Sequence, residues 1–252
     1  MTGLDGKTVL VTGGSRGAGA AIVRAAAEAG ADVLVHYASN RAAAEAVAGS
    51  IGARAKGLIG GDFSDPGAAA TVWEQAVKLA GRAPDGLVLN HGVFEAASIH
   101  DSQAVWTANW ARTLQINLTS AADLARLFAR DVITSDREGA LVAVSSRAAH
   151  RGDDADHPAY AASKAGLIAL VKTLARAWSG HGLLAYAIAP GWIDTEMAPQ
   201  TPEARALAHA EIPLGRMAAP EEIGALATFL LSGACASATG ATFDVNGASY
   251  VR

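Results

Sequence analysis

One cysteine, Cys235, stands among 252 residues, so the chain can close no internal disulfide and offers no paired-thiol metal site. Charge is also scarce, with 17% of residues charged and a net charge of −4. The lysines and arginines are scattered and form no basic stripe, which argues against a nucleic-acid partner. No apolar run reaches the ~18 residues of a membrane helix. Met1 to Lys7 is polar and lacks the apolar core of a secretory signal, so a cytoplasmic protein without membrane contact is expected. No His, Cys, Asp and Glu grouping has metal-ligand spacing, and no metal is expected.

Apolar residues, by contrast, make up 51% of the chain. That excess over charge excludes disorder and fits a sheet covered on both faces. The length suits one α/β domain, taken as residues 1–252.

Short apolar runs alternate with helical patterns. Thr8 to Val11 reads as a strand, Thr12-Gly13-Gly14-Ser15-Arg16-Gly17-Ala18-Gly19 as a glycine turn, and Ala20 to Ala29 as a helix. In that context glycines let backbone N–H groups approach a pyrophosphate at a helix N-terminus. The spacing is G-x-x-x-G-x-G. A second strand, Asp32 to His36, runs into Tyr37-Ala38-Ser39-Asn40-Arg41, and no Asp or Glu occurs between Val33 and Ala44. A carboxylate there would grip the ribose 2′-hydroxyl of NAD, whereas Arg16, Ser39, Asn40 and Arg41 offer donors to a 2′-phosphate, so NADP(H) is expected and NAD(H) is the alternative.

Further strands are expected at Ala53 to Gly60, Gly86 to Leu89, Ala140 to Val144, Leu183 to Ala189 and Ala241 to Val245. Each ends in a polar or glycine turn: Asp62-Phe63 after the third, Asn90-His91-Gly92 after the fourth, Ser145-Ser146 after the fifth and Pro190-Gly191 after the sixth. A continuous helix is expected over Val105 to Asp131, with Asn117 inside its apolar stripe. Seven strands alternating with helices define an α/β, doubly wound, parallel sheet with helices on both faces, the Rossmann fold. The segment 194–215 breaks the alternation and reads as a substrate lid.

The chemistry concentrates in Ser145-Ser146 and Tyr160-Ala161-Ala162-Ser163-Lys164. Positions four apart share a helix face, so the Tyr160 phenol and the Lys164 ammonium point the same way. At about 4 Å and an effective dielectric of about 20, that charge is worth roughly 4 kcal/mol, enough to lower a phenol pKa by up to about three units.

Together, Thr12-Gly13-x-x-x-Gly17-x-Gly19, Asn90-x-Gly92, Asn117, Ser146, Tyr160-x-x-x-Lys164 and Pro190-Gly191 resemble the short-chain dehydrogenase/reductase (SDR) family from about Asp5 to Gly247. The nearest likeness is to 3-oxoacyl-acyl-carrier-protein reductases and related ketoreductases. The resemblance implies an NAD(P)-dependent oxidoreductase interconverting a ketone and a secondary alcohol. Tyr160 would be the acid and base, Lys164 would depress its pKa, Ser146 would orient the carbonyl, and Asn117 would hold a water linking Lys164 to solvent. Cofactor contacts would run through Gly13, Ser15, Arg16, Gly17 and Gly19, then Tyr37, Ser39, Asn40, Asp62 and Phe63. They would continue through Asn90, Gly92, Tyr160 and Lys164 to Pro190, Gly191, Ile193 and Thr195. Phe94, Ala148, His150, Trp192 and Met197 are expected to line the pocket of a small-molecule carbonyl substrate, partly apolar or ring-containing. A homotetramer, or a homodimer, through the 105–131 and 158–180 helices is implied by resemblance alone. A non-catalytic dinucleotide sensor is the reading from outside enzymes, and an intact Ser–Tyr–Lys set argues against it.

The chain departs from the family pattern at three places. His91 stands where a small residue is usual and Leu89 where Asn is usual. The Ser146-to-Tyr160 loop is one residue longer than the commonest spacing, which keeps Ser145 as the alternative to Ser146. Gly247-Ala248 stands for a double glycine.

Overall fold

The computed structural model describes residues 3–252. Seven strands form one sheet: β1 (Thr8–Val11), β2 (Asp32–Tyr37), β3 (Ala55–Gly60), β4 (Gly86–Leu89), β5 (Gly139–Val144), β6 (Leu183–Pro190) and β7 (Thr242–Val245). Their order is β3-β2-β1-β4-β5-β6-β7, and every neighbouring pair is parallel. The chain reverses its direction of travel across the sheet between β1 and β4, where open α/β sheets leave a crevice at the strands' C-terminal ends.

Alternation along each strand divides the core in two. Val9 and Val11 face a layer built by α1 (Gly17–Glu28), α2 (Arg41–Ile51) and α9 (Pro220–Leu231), while Leu10 faces the other layer. That second layer holds α3 (Ala68–Ala80), α5 (Ser120–Thr134) and α7 (Pro158–Trp178). In the first layer α9 comes so close to α1 that a Cβ on Gly224 would lie 2.8 Å from the Ala21 carbonyl oxygen, which the small residues of both helices permit.

The 105–131 helix is not uniform. α4 (Gln103–Leu114) passes through a π turn at Gln115–Thr119 before continuing as α5. Asn117 lies in that turn, and π turns often mark sites where a side chain or backbone group is put to use. The expected loop between Ser146 and Tyr160 contains one helical turn, α6 (Ala148–Arg151). The 194–215 segment carries α8 (Pro202–Ala210), capped by Thr201, with a small core of Ala198, Ala208, Ile212 and Met217 against Trp192. No helix among the described residues is long and apolar enough to cross a membrane.

Candidate active site

A cleft of about 530 Å³ opens over the C-terminal ends of the strands. Its floor is the glycine turn after β1. Gly13 and Gly17 take φ of 63° and 52°, the left-handed region that glycine tolerates. A Cβ on Gly19 would collide with the Gly13 carbonyl oxygen and the Asn90 amide, and one on Gly17 would lie 3.4 Å from Thr195 Cγ2 across the cleft. Side chains here would fill the space that a pyrophosphate needs, so the cradle fits a dinucleotide. Ser15, Arg16, Ser39, Asn40, Asp62, Phe63, Asn90, Gly92, Pro190, Gly191, Ile193 and Thr195 line the same cleft.

Tyr37 does not. Its ring lies against Gly60 and packs into the α1–α2–α9 layer, because residues alternate across a strand and His36 is the one that faces the cleft. Nor does Arg41 line it, since its guanidinium turns to Glu45 at 2.8 Å. Asn40 caps α2 by accepting the Ala43 N–H, and Asp62 accepts the Ser64 N–H, which holds its carboxyl below the usual range.

His36 was not anticipated, although a titratable residue ending an apolar strand beside a glycine turn was a usable signal. The Gly13 N–H donates to its Nδ1 at 3.1 Å, so Nε2 carries the proton and donates to the Gly61 carbonyl at 2.9 Å. Burial lowers its pKa to about 4, consistent with this neutral form. Its ring stacks on Phe63, which in turn meets His91 at 4.2 Å between centroids. His91 is buried. His91 Nδ1 lies 2.7 Å from Thr12 Oγ1 and Nε2 lies 2.9 Å from Ser120 Oγ. The imidazole thereby ties the β1 and β4 turns to α5.

At the other end of the cleft the two serines separate. Ser145 is buried and donates to the Lys164 carbonyl at 2.7 Å. Ser146 lines the cleft together with Tyr160 and accepts the Ala148 N–H at 3.1 Å. Lys164 is buried with its Nζ 2.9 Å from the Val144 carbonyl oxygen and 5.7 Å from the Tyr160 ring centre. Asn117 accepts the Val93 N–H at 2.8 Å and donates to the Val93 carbonyl at 3.0 Å and to Ser163 Oγ at 3.1 Å. A Cβ on Gly92 would touch both Asn117 Oδ1 and Lys164 Nζ.

The expected depression of the Tyr160 pKa is not what the protein alone produces. Burial pushes Tyr160 up to about 12 against the relief from Ser146, and it pulls Lys164 down to about 8. Desolvation of the two buried groups outweighs the proximity of the ammonium to the phenol.

Phe94, Ala148, Trp192 and Met197 line the cleft near Tyr160. Phe94 meets the Tyr160 ring edge-on at 4.8 Å and stacks on His157 at 3.7 Å, and His157 is fixed by Asp154 at 2.6 Å. His150 is a correction: the α6 turn carries it away from the cleft, to stack 6.1 Å from Tyr250. Arg147, Arg151 and Asp153 line the substrate end and were not anticipated as site residues, although they follow Ser146 directly in the chain.

A doubly wound sheet, a dinucleotide cradle and a Ser–Tyr–Lys cluster in one cleft define a nicotinamide-dependent oxidoreductase. The family model described as Enoyl-(Acyl carrier protein) reductase matches residues 13–248. The L-rhamnose 1-dehydrogenase (NAD(P)(+)) of a Sphingomonas species is 35% identical over 99% of this chain and 98% of its own. The 3-oxoacyl-(acyl-carrier-protein) reductase of Escherichia coli is 33% identical, covering 98% of each. A 3-oxoacyl-(acyl-carrier-protein) reductase from Agrobacterium tumefaciens, solved with NADP bound, superposes with a TM-score of 0.88 at 32% identity, over 98% of this chain and 95% of that one. The chain belongs to the short-chain dehydrogenase/reductase family, whose members are NAD(P)-dependent oxidoreductases.

Proposed function

We propose that the chain acts as one domain to interconvert a ketone and a secondary alcohol with NADP(H), using Tyr160 as acid and base. The observation that carries this reading is the convergence of Ser146, Tyr160 and Lys164 on the cleft that the glycine turn floors. When bound, the nicotinamide supplies the hydride for reduction or accepts it in oxidation. Ser15, Gly17 and Gly19 would hold its phosphates through backbone N–H groups, with Gly13 shaping the turn and its own N–H on His36, and Thr195, Ile193 and the Pro190-Gly191 turn would flank its other end.

In reduction Tyr160 donates its phenolic proton to the carbonyl oxygen as that oxygen gains negative charge. Ser146 donates to the same oxygen and stabilises it. The Lys164 ammonium offsets the phenolate left behind, and Asn117 fixes the Val93 backbone beside it. Oxidation runs the same proton in reverse, from the alcohol to the Tyr160 phenolate. Segment 194–215 covers the substrate.

Arg16, Ser39 and Asn40 in the cleft, with no carboxylate following β2, favour the 2′-phosphate of NADP. The L-rhamnose relative, named for NAD(P)(+), keeps NAD-linked oxidation as the second reading. Comparing kcat/KM for NADPH and NADH with a panel of ketones tests the choice: at least about a tenfold preference for NADPH is expected, and a preference for NADH favours the second reading. A cytoplasmic homotetramer through α4, α5 and α7 completes the proposal. Exposed Val105 on α4 supports it, and sedimentation as a monomer would reject the assembly.

A further inference from the structure

The substrate end carries three charged side chains that the mechanism does not use, Arg147, Arg151 and Asp153. The two arginines share one carboxylate. Arg147 Nη2 lies 3.0 Å and Arg151 Nη2 3.8 Å from the same Glu211 oxygen, below α8. Arg147 Nη1 is buried without a hydrogen-bond partner among the described residues, so one donor stays open there. With Asp153 and Glu211 against Arg147 and Arg151, the group as a whole is balanced, so it gives no net attraction to a cationic substrate.

Asp153 supplies an open acceptor. Its Oδ1 accepts the Asp154 N–H at 3.0 Å, which sets the carboxylate plane, and Oδ2 has no hydrogen bond among the described residues. The residue is exposed to the cleft that Ser146 and Tyr160 line, near enough for its charge to act on the Tyr160 phenol. An ionised carboxylate only accepts hydrogen bonds, so a group seated against Oδ2 must donate one. An acyl chain would place methylene groups there and strip the carboxylate of water without replacement.

Building on the ketone–alcohol reading above, we infer that the substrate is a polyhydroxylated carbonyl compound or the matching polyol. Asp153 accepts a hydrogen bond from a hydroxyl beside the reacting carbon, and it sets specificity. Ser146 and Tyr160 hold the reacting oxygen while Asp153 holds its neighbour, which fixes both the position and the orientation of the sugar-like chain.

The test compares kcat/KM for sugars and polyols with that for simple secondary alcohols of equal carbon number, in wild type, Asp153→Ala and Asp153→Asn. Amino alcohols and 3-oxoacyl thioesters complete the panel. Wild type is expected to prefer the polyhydroxylated compounds, and the ratio of the two kcat/KM values is expected to fall by about 10–100-fold in Asp153→Ala, the range for losing a hydrogen bond to a charged group. Asp153→Asn keeps an acceptor oxygen and should retain more of the preference; it also decides the matter if the alanine variant does not fold. An unchanged ratio in both variants overturns the inference, as does a wild-type preference for simple alcohols, amino alcohols or acyl thioesters. Absence of turnover with every ketone and alcohol, by contrast, overturns the oxidoreductase reading and this inference with it.

Discussion

The Lys164 ammonium lies 5.7 Å from the centre of the Tyr160 ring, and its hydrogen bond goes to the Val144 carbonyl, 2.9 Å away. The side chain is held in place by backbone, and burial brings its pKa to about 8 from the ordinary 10.5. The folded state therefore holds this proton less tightly than the unfolded chain does. The resulting loss of stability is full below pH 8, fades as pH rises, and is gone above pH 10.5. Tyr160, raised to about 12, acts only above pH 10 and with the opposite sign.

For Lys164→Met, turnover should fall by about 10²–10⁴-fold. Denaturant unfolding across pH should show the variant gaining most on wild type below pH 8, with that gain shrinking towards pH 10.5. A gap that does not vary with pH would contradict the buried-cation reading.

Ser145 and Ser146 are neighbours with opposite tasks. Ser146→Ala removes a group facing Tyr160 in the open cleft, so kcat should drop by about 10²–10³-fold with little change in thermal midpoint. Ser145→Ala removes the hydroxyl's buried hydrogen bond to the Lys164 carbonyl, which costs about 0.5–1.5 kcal/mol of stability. Its effect on kcat should be the smaller one. Turnover and melting measured on the same preparations separate the two, and a reversed pattern would move the substrate contact to Ser145.

His36 makes the glycine turn sensitive to acid. Its folded pKa of about 4 lies below the ordinary 6.5, so stability is lost as pH falls from 6.5 towards 4. Protonation at Nδ1 also removes the acceptor for the Gly13 N–H. Buried His91, also held well below the ordinary value, adds to the same acid limb. In His36→Gln the thermal midpoint should fall less steeply over this range than in wild type, and identical slopes would rule out His36 as a source of the acid sensitivity.

Fold order and most of the cleft were legible because they rest on local patterns: apolar runs, the glycine spacing, and the turns at Asn90, Ser146 and Pro190. What failed depended on direction. Tyr37 and His36 are adjacent, and the strand's alternation sends only His36 into the cleft. His150 lies three residues past Arg147, and the α6 turn rotates it towards Tyr250. The π turn at Asn117 comes with tertiary hydrogen bonds to Val93, which no helix pattern reveals. Ala248 takes a φ of 65°, the conformation that the expected double glycine would serve, so even the departure from the pattern keeps the pattern's backbone.

The most direct test of the account follows oxidation of NADPH by a reducible ketone, comparing wild type with Tyr160→Phe while nucleotide binding is measured on the same samples. The variant should bind NADPH within about threefold of wild type and turn over about 10²–10⁴-fold more slowly, the usual worth of a positioned acid. Equal rates in the two proteins would contradict the role given to Tyr160.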